Sequence, residues 1–439
     1  MKSPSQIIKY YAEEIARKLK EPEWALRKRI RAAEIYEKAP TPPWMPEDFD
    51  LEAFASKAAE EEPLKPGEGE IPEWYKTILE RIGVPEIEQS MLAGVTVMVN
   101  ENVVYEAQKK ELKRKGVILE SLDEAVRRHE NIVKEYLHRA QVPEVHKLAA
   151  LHIALRRGGT FVYVPKGVRV PFPVQAFFVI TEEQLAQTEH TLIIADENSY
   201  LHFIEGCIVP IPAPYSMHLG GSEFYSLKGA RLRISSLENW IGKVIHVPVK
   251  GAEVHEGARL EELSVVMGGI RVGMRPRIRL IGKGAKLSFN SVAFLRNEMK
   301  SWSGSTVVHE APKTNSSIVN RTVMKDSSSD EFLGEIIVKK GAKGVIGHQA
   351  CNTLLLNDGA INTTIPKLVS EVSDADLAHE GTVGKIGEDQ VFYLRSMGFA
   401  EHEAIQMLTL GFIDPLIQDL PADYVRAIRE IVKMTLNAA

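Results

Sequence analysis

The chain has 439 residues, 44% of them hydrophobic and 26% charged, with a formal net charge of −5. Such a length buries a large core and ordinarily holds two or three domains, and the composition is that of an ordinary soluble protein. The mild negative charge argues against nucleic acid as a partner, because nucleic-acid binders carry a basic stripe.

No apolar run approaches the ~18–20 residues that cross a bilayer, so no membrane partner is expected. The longest runs, residues 93–99 and 174–180, read as buried strands. No apolar segment follows Lys2, and Glu13 and Glu14 come too soon for a secretory signal. A cytoplasmic protein is therefore expected.

Residues 7–20 and 24–36 place apolar side chains at helical spacing with charge between. Residues 39–72 bring proline and acidic clusters (APTPPWMPEDFD, EEEPLKPGEGEIP), which suit a linker or a loose surface loop. Residues 122–140 return to a helix, with Asp123 near its positive end. Residues 1–145 are thus expected to form a helical region with a Pro- and acid-rich linker.

From about residue 158 to 383 the pattern changes. Short β-branched runs are broken by glycine, and a charged-Gly-Ala corner recurs around Gly229, Gly257, Gly284, Gly341 and Gly359. The steps from Gly229 to Gly257 and from Gly257 to Gly284 are nearly equal, and the next, to Gly341, is about two such steps. An alternating stretch follows each corner, as in RLRISSLENW and KLSFNSVAFL. Glycine permits the tight corner, alanine packs inside it and a strand follows, which predicts a coiled β solenoid rather than a β-sandwich. The last step, from Gly341 to Gly359, is much shorter and breaks the period. The β core is placed at residues 146–385.

Residues 386–439 read as helical. Gly398, Gly411 and Pro415 mark expected helix ends, and Pro421 an expected first-turn proline. Val425, Ile428, Val432 and Leu436 form one apolar stripe, which ordinarily packs onto its own domain.

Two cysteines occur, Cys207 and Cys351, too few for a disulfide framework, and no CxxC suggests structural zinc. One chain also lacks the four thiolates that usually hold an iron–sulfur cluster. A lone cysteine is ordinarily a small buried core residue. His379 and Glu380, in DLAHEGTVGKI, would ordinarily be a surface polar pair. As strand neighbours they point to opposite faces unless Gly381 marks a bulge. Cys351 and His379 are separated by the same step as Gly229 and Gly257, so they are expected to stack on neighbouring coils. Glu205 beside Cys207 is no help to a thiolate, since a negative neighbour disfavours it. The stretch from Asp326 to Asp330 reads as a polar loop. No Walker A loop, GxGxxG, GxSxG or HExxH is present, so the chain is not expected to hydrolyse ATP itself.

Four stretches resemble the SufB and SufD proteins of iron–sulfur cluster assembly: GTFVYVPKGVRVPFPV (residues 159–174), HTLIIADENSYLHFIEGC (190–207), AHEGTVGKIGEDQVFYLRSMGF (378–399) and EPEWALRKRI (21–30). The resemblance covers most of the chain. It implies a right-handed parallel β-helix core flanked by helices, pairing of two such cores, and a SufC-type ATPase docked on the C-terminal helices. It further implies a transient cluster, expected as 4Fe-4S, built from persulfide sulfur and iron at the paired interface and passed to acceptor apo-proteins. Sulfur would come from a donor protein or from sulfide. Flavin, carried by some complexes of the family, is left open.

Residue by residue, Cys351 matches the cluster-site cysteine of SufB. His379 matches histidines of both proteins, and Glu380 a neighbouring SufB glutamate. Cys207 matches the SufB cysteine proposed to receive sulfur. Glu238 and Trp240 fall where SufB has glutamine and tryptophan on the proposed sulfur path, and Lys250 matches a lysine there across gaps. Glu238 therefore adds a charge, Ala378 replaces a glutamate, and Val179 and Thr181 replace an arginine and an asparagine. HEGTVG and FYLRSMGF lean towards SufD. The expected function is a non-enzymatic assembly scaffold, working as a homodimer or with a SufD-type paralogue. The alternatives are a SufD-like structural subunit without a cluster of its own, and a polysaccharide-acting β-helix enzyme. The last needs an exposed carboxylate-lined groove, which the sequence does not suggest.

Overall fold

The computed structural model describes residues 2–60, 62, 93–99, 102–179, 186–208 and 213–437. Its centre is a parallel β-solenoid of about seven turns, with helices at both ends of the chain. One sheet runs through the strands Val174–Val179, Tyr200–Ile208, Arg231–Trp240, Arg259–Gly268, Lys286–Leu295, Asn315–Met324, Ile346–Leu355 and Asp376–Lys385, each parallel to the next. The facing sheet includes His190–Ala195, Gly221–Ser226, Val249–Val254, Lys300–His309, Ser329–Val338 and Ile361–Ser370. Alternation along each strand turns one set of side chains inward. Leu232, Ile234, Leu260, Leu287, Phe289 and Ile318 from the first sheet thereby meet Phe224, Ala252, Ile278, Val307 and Ile336 from the second in one buried core.

The corner chemistry follows the expected logic. Gly229, Gly257, Gly284 and Gly341 all have positive φ, the region where a side chain is costly. The double-length step between Gly284 and Gly341 is filled by Lys313 at φ 58°, a corner without glycine. Gly359 lies between Ile346–Leu355 and Ile361–Ser370, at the opposite edge of the coil, where Asp326 (φ 62°) and Asn297 (φ 55°) turn earlier coils. The broken period is a change of corner.

The outer faces are covered by helices. Ile413 and Ile417 of Glu401–Ile417, with Ile428 and Val432 of Ala422–Asn437, pack on Leu263, Val265, Val292 and Phe294 of the first sheet. The predicted stripe thus packs on its own solenoid. On the second sheet, Ile8, Ile15 and Leu19 of Pro4–Leu19 join Leu148 and Leu151 of Lys147–Leu155 against Met217, Ile245 and Val247. The EPEWALRKRI segment supplies a buried ion cluster at this junction. Arg29 donates to both oxygens of Glu21 at 2.7 Å, and Arg156 donates to Glu21 at 3.0 Å. Burial opposes the Glu21 charge, yet Arg29 and Arg156 hold its pKa down to about 2.

Several local expectations need correction. Residues 39–72 hold the helix Leu51–Glu60, whose Phe54, Ala55 and Ala58 are buried; the rest of that stretch beyond residue 62 lies outside the described residues. Residues 1–145 also contain strands, among them Gly94–Val99, which adds to the first sheet beside Val174–Val179. Residues 122–140 form two helices, Leu122–Arg128 and Glu130–Tyr136, separated at His129, which has φ −121°. Gly411 and Pro415 lie inside Glu401–Ile417 rather than ending it.

Candidate functional site

Cys207 points into the solenoid and is fully buried. Its register partner on the next strand is Glu238. Lys250, reaching in from the facing sheet, lies 3.6 Å from Glu238 Oε1 and donates to Ser236 Oγ at 3.0 Å. Trp240, also buried, packs against His218 and His246 with ring centroids 4.7 and 4.9 Å away. The structure therefore gathers Cys207, Glu238, Trp240 and Lys250 into one interior cluster, although they come from three strands.

The charge that Glu238 adds is compensated. Burial opposes it, but His246 and Lys250 hold its pKa down to about 2. His246 Nε2 meets the Glu238 carboxylate, while His218 Nε2 donates to Glu189 Oε1 at 2.5 Å. A carboxylate only accepts, so both Nε2 atoms carry protons. The two Nδ1 atoms are 2.9 Å apart, which requires a further proton between them. Burial lowers the His246 pKa, with Glu238 opposing; burial acts the same way on His218, but there Glu189 outweighs it and the pKa is raised. His218 and His246 are separated by the same step as Gly229 and Gly257 and are register partners, so coil spacing could have found this pair; Glu189, on another coil, completes it.

Cys351 lies on Ile346–Leu355, near the far end of the solenoid, and is buried at 3% exposure. The expected stacking on His379 is not observed. Arg231 pairs with Arg259 and Arg259 with Lys286, the steps the corners share. The later coils are longer, so that Lys286 pairs with Asn315, Asn315 with Ile346 and Ile346 with Asp376. Cys351 therefore pairs with Gly381, and His379 with Gln349. The two-residue offset keeps Cys351 and His379 on the same inner face, diagonally placed. No bulge occurs across this pairing, so Glu380 faces outward, 3.7 Å from His348.

Burial pushes the Cys351 thiol up to about 12; a hydrogen bond from Gln349 at 3.6 Å opposes this, and Asp330 adds to it. Asp330 is not part of a surface loop. It points inward, accepts from Ser303 Oγ at 3.0 Å and is raised by burial to about 6. Gln349 Oε1 and His379 Nε2 are buried without hydrogen-bond partners. One coil beyond Cys351 the solenoid stops. Among the described residues, Ile361–Ser370 and Asp376–Lys385 each pair on one side only, and Ile361, Ile365, Leu368 and Val383 are exposed.

One inner row connects the surroundings of the two thiols. Register places Glu205 beside Ser236, then Ser264, Ser291, Asn320 and Cys351 on successive strands. Asn320 donates to Ser291 at 2.8 Å, and every member of the row is buried. Five strand spacings put its ends roughly 24 Å apart.

A separate trio, His138, His190 and Glu223, has ligand atoms within 4.8 Å of one another. Its carboxylate already accepts from the backbone N–H groups of His138, Arg139, Ala140 and Gln141. It clamps the N-terminal segment to the solenoid. Of the remaining sequence expectations, Thr181 lies outside the described residues, and Val179 is a buried strand residue.

Fold and site together define a parallel β-solenoid protein with thiol, imidazole and carboxylate groups on its inner wall. Residues 178–412 match the SUF system FeS cluster assembly SufBD core domain, and residues 76–176 match the SufBD protein N-terminal region. Iron-sulfur cluster assembly SufBD family proteins of Staphylococcus epidermidis and Staphylococcus haemolyticus are each 34% identical over 430 residues, covering 97% of this chain and 92% of theirs. The chain belongs to the SufBD family of iron–sulfur cluster assembly proteins. Its described helices include none long and apolar enough to cross a membrane.

Proposed function

We propose that this chain is a non-enzymatic scaffold subunit of a SUF-type complex in the cytoplasm, building a nascent iron–sulfur cluster at the interface of two such chains. The observation that carries this is the placement of Cys351 and His379 on one inner face at the open end of the solenoid, with Glu380 turned outward on the same strand as His379. Thiolate, imidazole and carboxylate are all iron ligands. A second copy, meeting the unpaired edges of Ile361–Ser370 and Asp376–Lys385, doubles the donor set and covers the exposed apolar residues.

The polar row from Glu205 to Cys351 supports a route for sulfur inside the wall, received at Cys207 from a persulfide donor; sulfide, where it is the source, would enter with iron at the cluster site without passing through Cys207. Glu238, Trp240 and Lys250 surround its start. A SufC-type ATPase is assigned to the C-terminal helices, where Phe392, Tyr393 and Met397 at Glu388–Ser396 and its cap are exposed. Closure of that ATPase on ATP would strain the end of the solenoid and admit water. Hydration would lower the Cys351 pKa from about 12 and release the thiolate that iron needs. The cluster, as cargo, would then pass to apo-protein acceptors.

The test is anaerobic reconstitution with iron and sulfide, read by visible absorption and Mössbauer spectra, on the parent protein, Cys351→Ser, His379→Ala and Cys207→Ser. Cys351→Ser is expected to lose the cluster and His379→Ala to weaken it, whereas Cys207→Ser retains a cluster supplied with free sulfide. Undiminished cluster in Cys351→Ser would refute the site.

A further inference from the structure

Glu205 is a buried carboxyl on the inner face of the solenoid, at 4% exposure. It lies two residues before Cys207 on Tyr200–Ile208, so both side chains face inward. The Cys207 Sγ donates to Glu205 Oε1 at 3.9 Å, and Glu205 Oε2 is buried without a partner. The neighbouring acids are differently placed. Glu238 pairs with His246 and Lys250, and Glu189 with His218, whereas Glu205 forms no ion pair among the described residues; a partnerless Oε2 is common to all three acids. A buried carboxyl whose hydrogen-bond partner among the described residues is a thiol is costly to keep, and packing does not account for it.

We propose that Glu205 is the general base that takes the thiol proton of Cys207 as its sulfur attacks an incoming persulfide. The inference rests on the sulfur route proposed above. The Cys207 S–H proton moves to Glu205, and the thiolate attacks the outer sulfur of the donor R–S–SH. A new S–S bond forms at Cys207 and the donor S–S bond breaks. The electron pair leaves on the donor sulfur, which takes the proton from Glu205 as R–SH. One persulfide and one thiol are consumed and one of each is formed, with no external oxidant or reductant.

The surroundings suit a base that cycles its proton. Glu238 and Ser236 lie on the next strand, Lys250 comes from the facing sheet, Glu262 is one strand further, and Glu189, His218 and His246 complete the cluster. Burial raises the Glu205 pKa to about 7, Lys250 opposes, and Glu238 and Glu189 reinforce it. A base with its pKa near neutral is matched to its task.

The experiment uses the full chain carrying Cys351→Ser, which leaves Cys207 as the single thiol. Inorganic polysulfide is the sulfur source, intact mass reports one added sulfur, and free cysteine under the same donor corrects for the donor's own titration. With Glu205 present, the corrected loading rate is expected to rise through a midpoint near pH ~7. Glu205→Gln should load at least about tenfold more slowly at neutral pH and lose that midpoint, and Glu205→Asp should recover part of the rate. An unchanged rate and midpoint in Glu205→Gln overturns the assignment. So does a flat profile between about pH 6 and 8 with Glu205 present, which decides the matter even if the glutamine variant fails to fold. Absence of sulfur on Cys207 at every pH is a different result: it refutes the route itself.

Discussion

The two cysteines share one inner wall but not one environment. Around Cys207 the solenoid is closed, and buried charges answer each other: Glu238 with His246 and Lys250, Glu189 with His218. Around Cys351 the wall ends, and among the described residues its last strands lack a neighbour and Gln349 Oε1 and His379 Nε2 have no hydrogen-bond partners. A charge-paired cluster suits chemistry that must be repeated in a fixed geometry, even though one oxygen each of Glu189, Glu205 and Glu238 lacks a hydrogen-bond partner among the described residues. An open edge suits a site completed by something else, as the proposed second chain and iron would do. Both thiols are held protonated by burial, so neither is reactive by default.

The contrast is broken most directly at Glu238. Glu238→Ala leaves Lys250 charged and buried without its ion-pair partner and His246 without its carboxylate, and should cost about 3–5 kcal/mol in chemical denaturation. The outward Glu380→Ala should cost less than about 0.5 kcal/mol. If the two substitutions cost the same, the Cys207 cluster is not a closed charge network.

Acid should separate the acids within the Cys207 cluster from one another. Glu21 and Glu238 have folded pKa values of about 2, below the ordinary 4.5 of an unfolded chain, so the unfolded state binds more protons between those limits. Their stabilisation is complete above pH ~4.5 and is lost as pH falls towards 2, on the order of a few kcal/mol in all. Glu205 has the opposite sign. Its raised pKa makes the folded state hold a proton that the unfolded state releases between about 4.5 and 7, so stability declines across that window. Glu205→Gln should abolish this decline and be up to roughly 2–3 kcal/mol more stable than the parent at pH ~8, measured by urea unfolding at a series of pH values.

The open end is sharpened by charge. Ile361→Lys with Val383→Lys alters two exposed positions, 65% and 51% accessible. Self-association should weaken at least about tenfold in sedimentation, with unfolding stability unchanged to within about 0.5 kcal/mol. The smallest effect is at a corner. Lys313→Gly relieves a non-glycine residue at φ 58° and should raise stability by about 0.5–1 kcal/mol, seen as a shift in the denaturation midpoint.

Much of the architecture is legible in the sequence. Repeating Gly-Ala corners and alternating strands specify a solenoid because each coil solves the same local problem: a left-handed corner, a small inward residue, then a strand. The stripe of the last helix likewise foretells its burial on the solenoid. Corners made by Lys313, Asn297 and Asp326 carry no such signal, since nothing in their composition sets them apart from surface polar residues. Cys351, His379 and Glu380 are recognisable by resemblance, but their arrangement is not. Coils lengthen along the chain, and a change of two residues slides Cys351 from His379 to Gly381 without turning either side chain to the other face.

The sequence alone determined that this chain coils, which residue types turn most of its corners, and which family it resembles, because these depend on local pattern. The tertiary structure alone decided which inward residues become neighbours. Glu205 with Cys207 is local, but Glu238 with Lys250 and the polar row ending at Cys351 are set by register between coils, a sum of loop lengths that no single segment encodes.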